Sequence, residues 1–302
     1  MNFSKEGEVV PYTLAVDIGG TKIAAGVMNE ERVWLSKVKN QSDISDAMSM
    51  YNSLLASIYE AIKQANLTKE QISHLGITIP GQLDTATGLA IYQNNLPWAN
   101  FPLGDLLAKE FPSSRLAFEH DVMAAAFGEW SVRGLTEELF VYITVSTGIC
   151  ASTIHQGQPL KGLGLAGEIG FFPINKDFVL ETYASGSAME RALSAQENSL
   201  TLVEAFLRWE QGDQALESFF DERAYQLAVA IFNVTAMFDP AVIVVGGGVI
   251  NNQSQFFERI KEHYQQLCKH PIQQNWLARI EQSILKGTSG LFGVAMKARG
   301  YT

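Results

Sequence analysis

Residues 14–28 place the strongest constraint on the fold, because two apolar runs meet there at the turn Gly19-Gly20. The stretch reads LAVDIGGTKIAAGVM, so the polar side chains of Asp17, Thr21 and Lys22 gather at the turn. Two hydrophobic runs around such a turn predict a β-hairpin. A glycine turn can also direct backbone N–H groups at phosphate oxygens, and Asp17 is placed to hold Mg²⁺ directly or through water. The sequence therefore allows a plain hairpin or a phosphate-binding turn.

Composition excludes several classes of function. The chain has 302 residues, 47% of them hydrophobic, and a net charge of −10 at pH 7. This length allows two domains or one large one, and the acidic balance argues against a nucleic-acid partner. The sequence contains no bilayer-spanning apolar run, and its start, MNFSKEGEVV, lacks the apolar region of a signal peptide. We therefore expect a cytoplasmic protein without a membrane partner.

The two cysteines, Cys150 and Cys268, bear on metal binding. They are too few for a disulfide framework or for a Cys-rich structural zinc site.

Apolar periodicity and turn signals predict the elements in order. After the hairpin we expect strands at 33–38, 72–79 and 116–119, and helices at 45–65, 103–111 and 121–133. The second half is expected to form strands at 139–145, 150–155 and 242–245, and helices at 188–194, 200–211, 213–238, 254–268 and 289–299.

The strand–turn–strand layout of the hairpin recurs at 139–155, around Ser146-Thr147-Gly148. A second copy of one supersecondary unit predicts two similar α/β domains with a cleft between them. We expect an N-terminal lobe at 1–122, completed by a C-terminal helix near 289–302, and a C-terminal lobe at 123–288.

Three glycine-containing turns follow hydrophobic strands, at Gly19-Gly20, Thr147-Gly148 and Gly246-Gly247-Gly248. Together they predict a nucleotide site in which the first two turns hold phosphates and the third leaves room for adenosine. The alternative for the third turn is an ordinary strand-to-helix connection. GLGLAG at 162–167 matches the dinucleotide pattern GxGxxG but lacks the required strand before it and helix after it. A Rossmann site is therefore excluded.

Asp121 is the candidate catalytic base, because it stands between a strand and an Ala-rich helix. The same place suits a helix N-cap, and one carboxylate can serve both roles. Glu168, Glu181 and Asn95 suit a sugar, whose hydroxyls need both acceptors and donors. The two glutamates could instead be solvated loop charges, and His120 could be a sugar contact or a buried histidine.

With these residues in view, the chain resembles the ROK family of bacterial sugar kinases and sugar-responsive repressors over essentially its whole length. Short segments carry the resemblance: DIGGTK at 17–22, PGQLD at 80–84, NLPW at 95–98, Asp121 with AAA at 124–126 and GE at 128–129, STGI at 146–149, GEIG at 167–170, Glu181 with YASG at 183–186, and DP at 239–240 with GGG at 246–248. The resemblance implies an actin-like, ribonuclease H-like (hexokinase-type) fold, ATP and Mg²⁺ as cofactors, and a homodimer.

The chain also departs from the family pattern. Phe171 stands where the family has a sugar-contacting histidine, and a short run at 172–180 replaces its cysteine-containing zinc loop. His120 and Met123 replace asparagines. These departures imply that structural zinc is absent, and they leave the identity of the sugar substrate undetermined. No helix-turn-helix precedes the hairpin, which argues against the repressor branch.

The resemblance implies ATP-dependent phosphorylation of a hexose hydroxyl, at C6 of glucose or of an N-acetylhexosamine such as N-acetylmannosamine. Fructose or a β-glucoside is an alternative substrate, and a non-catalytic sugar sensor or an actin-like filament protein is an alternative function. Asp121 would accept the hydroxyl proton, and Asp17 would position Mg²⁺ through ATP. The expected sugar contacts are Gly81, Asn95, His120, Asp121, Glu168 and Glu181.

Overall fold

A computed structural model describes residues 11–196 and 200–301. The start of the chain, from which we argued against a signal peptide, and the final residue of the expected 289–302 helix lie outside these ranges. The chain divides into unit 1, which runs to Ser131 and resumes at Thr288, and unit 2, Val132–Gly287. The division falls at the end of the helix that begins with Asp121, whereas the expected boundary at residue 122 lies near that helix's start.

Unit 1 alternates strands with helices. Its elements before the division are β1 (Tyr12–Ile18), β2 (Lys22–Met28), β3 (Trp34–Gln41), α1 (Ala47–Gln64), β4 (Ile72–Ile79), β5 (Gln82–Asp84), β6 (Leu89–Tyr92), β7 (Ala99–Phe101), α2 (Leu103–Glu110), β8 (Arg115–His120) and α3 (Asp121–Val132).

Unit 2 repeats the alternation with more helix. It contains β9 (Phe140–Val145), β10 (Ile149–His155), β11 (Gln158–Pro159), α4 (Leu180–Ala184), α5 (Gly186–Gln196), α6 (Leu202–Glu210), α7 (Gln214–Phe238), β12 (Val242–Gly246), α8 (Ser254–Leu267) and β13 (Ile280–Gln282). The last helix, α9 (Ser289–Ala298), returns to unit 1. Within the described residues, no helix is both long and apolar enough to cross a membrane.

The main sheet of unit 1 has the order β3-β2-β1-β4-β8. The predicted hairpin is confirmed, because β1 and β2 pair antiparallel from Thr13↔Met28 to Ile18↔Ile23. Strands β4 and β8 continue the sheet parallel to β1. Strands β1, β4 and β8 therefore end at one edge, where the chain connections that follow parallel strands commonly bind ligands.

The sheet of unit 2 has the order β11-β10-β9-β12-β13 and repeats this arrangement. Strands β9 and β10 form an antiparallel pair, and β12 joins β9 in parallel. The duplicated layout expected from 139–155 is thus confirmed. In each unit the apolar side chains of the sheet pack against helices of the same unit. Strands β9 and β12 are almost completely buried.

A small sheet of order β5-β6-β7 was missing from the sequence-based prediction. Its strands are three or four residues long, too short to show an alternating pattern. For the same reason β11, β13 and the five-residue helix α4 were missed.

Helices α3 and α9 cross with their backbones in contact. A Cβ at Gly293 would lie 1.7 Å from the Ala124 carbonyl oxygen, and one at Gly128 would lie 2.4 Å from the Ser289 carbonyl oxygen. The glycines allow this approach, which holds α9 against the helix that begins with Asp121.

We expect Gly293→Ala to lower the free energy of unfolding by about 3 kcal/mol, because the added methyl group cannot fit between the two backbones. Gly287→Ala is the matched control, since a Cβ there would meet nothing within 4 Å. Urea unfolding followed by circular dichroism measures both variants. Equal unfolding midpoints would contradict the close helix crossing.

Candidate functional site

The edge where β1, β4 and β8 end gathers polar side chains of unit 1. The register pairs Asp17 with Thr78, and Thr78 with Glu119. His120 ends β8, and Asp121 begins α3 directly after it. Parallel pairing therefore brings together residues that lie far apart in the sequence.

Asp17 is a half-buried carboxylate with one strong hydrogen bond. The Thr78 hydroxyl donates to Asp17 Oδ1 over 2.5 Å. Burial raises the pKa of Asp17, and so does the negative charge of Asp121, whereas the Thr78 bond and the positive charge of Lys39 lower it. The net effect is upward, chiefly because burial removes water from the ionised carboxylate. Such a group is suited to a cation.

Asp121 is reached by solvent, yet protein atoms surround its carboxylate closely enough that desolvation raises its pKa. The Val122 N–H, which donates to Asp121 Oδ1 over 2.9 Å, and the charge of His120 offset this only in part. A raised carboxylate pKa is a common property of general bases. The bond to the first turn of α3 also fits the helix-end role, so both interpretations of Asp121 are compatible with its geometry.

An ion pair between a buried carboxylate and a partly exposed lysine supports the strand that leads into Asp121. Glu119 is 4% exposed, and its Oε2 accepts a hydrogen bond from Lys297 Nζ over 2.5 Å. Its Oε1 accepts from the backbone N–H of His120 over 3.0 Å. Because Lys297 belongs to α9, the last helix of the chain steadies the end of β8.

The first turn of α9 lies beside both aspartates. A Cβ at Gly290 would be 3.6 Å from Asp17 Oδ2 and 3.7 Å from the Asp121 carbonyl oxygen. The N-terminal end of a helix carries partial positive charge, which favours nearby anions. Sequence reasoning missed Thr78, Lys39 and Gly290 as neighbours of Asp17, and Lys297 as the partner of Glu119, because nothing in the chain order marks these contacts.

The Gly19-Gly20 turn is fixed from two sides. The Gly19 N–H donates to the Lys22 carbonyl over 3.0 Å, and the Ser42 hydroxyl donates to the Gly19 carbonyl over 2.7 Å. Within the described ranges, no hydrogen bond uses the amides of Gly20 or Thr21. The side chains of Thr21 and Lys22 are exposed. The backbone N–H groups of Gly20 and Thr21 are therefore available to donate hydrogen bonds to an external anion.

The Asn95 segment packs directly against this turn. A Cβ at Gly20 would lie 2.8 Å from the Asn95 carbonyl oxygen, so close approach is what requires glycine there. Buried Trp98 anchors the segment, since its Nε1–H donates to the Ala47 carbonyl over 3.0 Å and its ring stacks on Phe101. Asn95 itself is exposed.

Gly81 lies beside the same segment. The Gln93 amide donates to the Gln82 carbonyl over 2.9 Å, and its Oε1 would be 2.6 Å from a Cβ at Gly81. The structure thus brings the predicted phosphate turn, Asn95 and Gly81 to one part of unit 1. Gln93 was not among the predicted residues.

In unit 2, Glu181 contacts the turn at Thr147-Gly148. Glu181 Oε2 accepts a hydrogen bond from the Ile149 N–H over 2.8 Å, and a Cβ at Gly148 would lie 2.5 Å from the same oxygen. The Gly186 N–H donates to the Ser146 carbonyl over 2.7 Å from the other side. One oxygen of this predicted sugar ligand is therefore engaged in shaping the predicted phosphate turn.

The third glycine turn adjoins the second. Gly246 pairs with Thr144 across β12 and β9, and the Val249 N–H donates to the Val145 carbonyl over 3.0 Å. Gly247 has φ +93°, a conformation that favours glycine, and a Cβ there would lie 2.4 Å from the Val145 carbonyl oxygen. A Cβ at Gly248 would meet nothing within 4 Å, so this side of the turn has room for a ligand.

Glu168 begins a short 3₁₀ turn, Ile169–Phe171, in which the Phe171 side chain is 63% exposed. The preceding GLGLAG lies in the loop after β11 and leads into this turn, not into an α-helix. The segment therefore lacks the helix that a dinucleotide-binding motif requires. Across the described ranges, no cluster of three or more His, Cys, Asp or Glu side chains could hold a metal ion.

Two sugar kinases are similar to this chain over most of its length. The N-acetyl-D-glucosamine kinase of Salmonella arizonae is 28% identical over 306 residues, covering 92% of this chain and 96% of that protein. The glucokinase of Halalkalibacterium halodurans is 26% identical over 282 residues, covering 84% and 85%.

A solved structure, the ROK family glucokinase from Streptomyces griseus in complex with glucose and AMPPNP, superposes with a TM-score of 0.79. It is 25% identical and covers 95% of this chain and 99% of its own. The expected α/β, actin-like fold is thereby confirmed. The ROK family model matches residues 13–300, which is nearly the whole chain, and the protein therefore belongs to the ROK family.

Proposed function

We propose that the protein is an ATP-dependent sugar kinase that transfers the γ-phosphoryl group to a hexose hydroxyl, at C6. The observation that carries the proposal is the proximity of the Asp17 and Asp121 carboxylates at one sheet edge. They lie next to a glycine turn whose Gly20 and Thr21 N–H groups donate no hydrogen bond within the described residues. Two carboxylates with raised pKa values beside such a turn suit a metal–nucleotide and a hydroxyl nucleophile. The glucokinase and N-acetylglucosamine kinase relatives support the same reaction class.

In this proposal Asp121 is the general base. Its carboxylate accepts the proton of the sugar hydroxyl as that oxygen attacks the γ-phosphorus of ATP. Desolvation raises its pKa, so the ionised form is a stronger base than an ordinary aspartate. The backbone N–H of Val122 keeps one carboxylate oxygen in place while the other is left for the substrate.

Magnesium enters with ATP, as part of the substrate. The donors present fit it, since Mg²⁺ prefers carboxylate oxygens and Asp17 Oδ2 accepts no hydrogen bond within the described residues. We assign phosphate binding to Gly19, Gly20, Thr21 and Lys22 in unit 1 and to Thr147 and Gly148 in unit 2. The open side of Gly246-Gly247-Gly248 would take adenosine.

The sugar is glucose or an N-acetylhexosamine such as N-acetylmannosamine, with fructose or a β-glucoside as the alternative. Gly81, Asn95 and His120 would contact it from unit 1, and Glu168 and Glu181 from unit 2. Phe171 cannot make the hydrogen bond to the sugar that the family's histidine would make at this position. Family membership therefore does not fix the sugar preference. A cytoplasmic homodimer remains a prediction from the sequence.

A coupled ADP-release assay over these sugars tests the proposal. We expect sugar-dependent ADP release with at least one of glucose, N-acetylglucosamine, N-acetylmannosamine, fructose and a β-glucoside. A non-catalytic sensor would bind a sugar without turnover, and a filament protein would hydrolyse ATP independently of sugar. Either result would exclude the kinase assignment.

Asp121→Asn tests the base. Asparagine keeps the Oδ1 acceptor for the Val122 N–H but cannot take a proton, so kcat should fall by about 10²–10⁴-fold while sugar binding is nearly unchanged. Asp105→Asn, at an exposed position in α2, is the control and should keep wild-type turnover. Steady-state kinetics and sugar-binding calorimetry give both values. Near-normal turnover in Asp121→Asn would rule out the assignment.

The pH dependence of kcat follows from the raised pKa values. Because the base works ionised, kcat should fall as pH drops through a pKa above that of an ordinary aspartate. In Asp121→Asn the neighbouring negative charge disappears, so the pKa of Asp17 falls and the residual acidic limb moves to lower pH. Profiles of both proteins measure the shift. A limb that moves upward would contradict the coupling of the two aspartates.

A further inference from the structure

We propose that Thr78 is a positioning residue for Asp17, and that its hydroxyl orients the carboxylate so that Oδ2 meets the metal ion accompanying ATP. The inference rests on the proposed function, in which Asp17 acts on MgATP. Thr78 is not among the residues predicted from the sequence.

The backbone sets up the contact. Strands β1 and β4 pair in parallel with Asp17 opposite Thr78, which places the two side chains side by side on one face of the sheet. Thr78 is completely buried. Its hydroxyl therefore cannot turn to bulk water, and it donates a hydrogen bond to Asp17 Oδ1 over an oxygen–oxygen distance of 2.5 Å. A β-branched side chain has few rotamers, so the donor is held in a narrow direction.

The bond engages only one carboxylate oxygen. Among the described residues, no hydrogen bond uses Asp17 Oδ2. That oxygen faces the first turn of α9 at Gly290, where a Cβ would lie 3.6 Å away. Thr78 thus gives the two oxygens different roles, because Oδ1 is anchored to the sheet while Oδ2 is available to a ligand.

The Thr78 hydroxyl is the anchor of the Asp17 carboxylate. Within the described residues, its bond to Oδ1 is the only hydrogen bond that this carboxylate accepts. Hydrogen bonds to a charged acceptor are stronger than neutral ones. Without the hydroxyl, the carboxylate could rotate away from the metal-facing orientation.

Thr78→Val tests the inference, because valine keeps the shape and removes the donor. Calorimetry compares the affinity for ADP in saturating Mg²⁺ with that in EDTA. We expect the wild type to bind more tightly with Mg²⁺, and Thr78→Val to lose roughly tenfold or more of that gain. Affinity in EDTA should be unchanged. In turnover, kcat should fall roughly 10–100-fold with the sugar KM unchanged.

Thr78→Ser restores the hydroxyl and should recover the Mg²⁺-dependent gain. Thr13→Val is the matched control, since Thr13 is an equally buried threonine in the same sheet whose hydroxyl accepts from Arg299 Nε over 2.7 Å. It should lose stability but keep the wild-type gain. If Thr78→Val does not fold, Thr78→Ala carries the same comparison.

A wild-type Mg²⁺-dependent gain in Thr78→Val or Thr78→Ala would overturn the inference and leave the proposed function standing. A wild-type protein without Mg²⁺-dependent ADP binding and without sugar-dependent turnover would overturn both. The two failures are therefore distinguishable.

Discussion

The closeness of two carboxylates, Asp17 and Asp121, is the constraint on which the rest of unit 1 depends. Each is disfavoured as an anion by desolvation, and the charge of Asp121 adds to the burden on Asp17. The fold offsets this with the Thr78 hydroxyl, the Val122 N–H and the N-terminal end of α9. A site of this kind is suited to a cation, since a positive charge would offset the repulsion between the two carboxylates.

Close backbone approach is the second recurring device. Gly20 admits the Asn95 segment, Gly148 admits the Glu181 carboxylate, and Gly293 admits α3. In these places the absence of a Cβ matters, not a left-handed backbone. As a result, two of the three candidate ligand-binding turns are held by neighbouring residues: the first by Ser42 and Asn95, and the second by Glu181.

Glu181 illustrates how the structure sharpens an assignment. The sequence suggested a sugar contact, and the structure places one of its oxygens on the Ile149 amide, at the end of the predicted phosphate turn. The role as a sugar ligand remains a prediction.

The sequence alone determined the hairpins, the long helices, the duplicated layout and the family, because these depend on local periodicity and on residues adjacent in the chain. It did not reveal the β5-β6-β7 sheet, whose strands are too short to show a pattern. Only the tertiary structure decided which side chains surround Asp17. Thr78 lies next to Asp17 because β1 and β4 pair in parallel, and Lys39 of β3 contributes a nearby positive charge. Gly290 lies beside Asp17 because α9, from the far end of the chain, packs there. Such neighbours are set by the register between strands and by helix packing, and neither leaves a local signal in the order of residues.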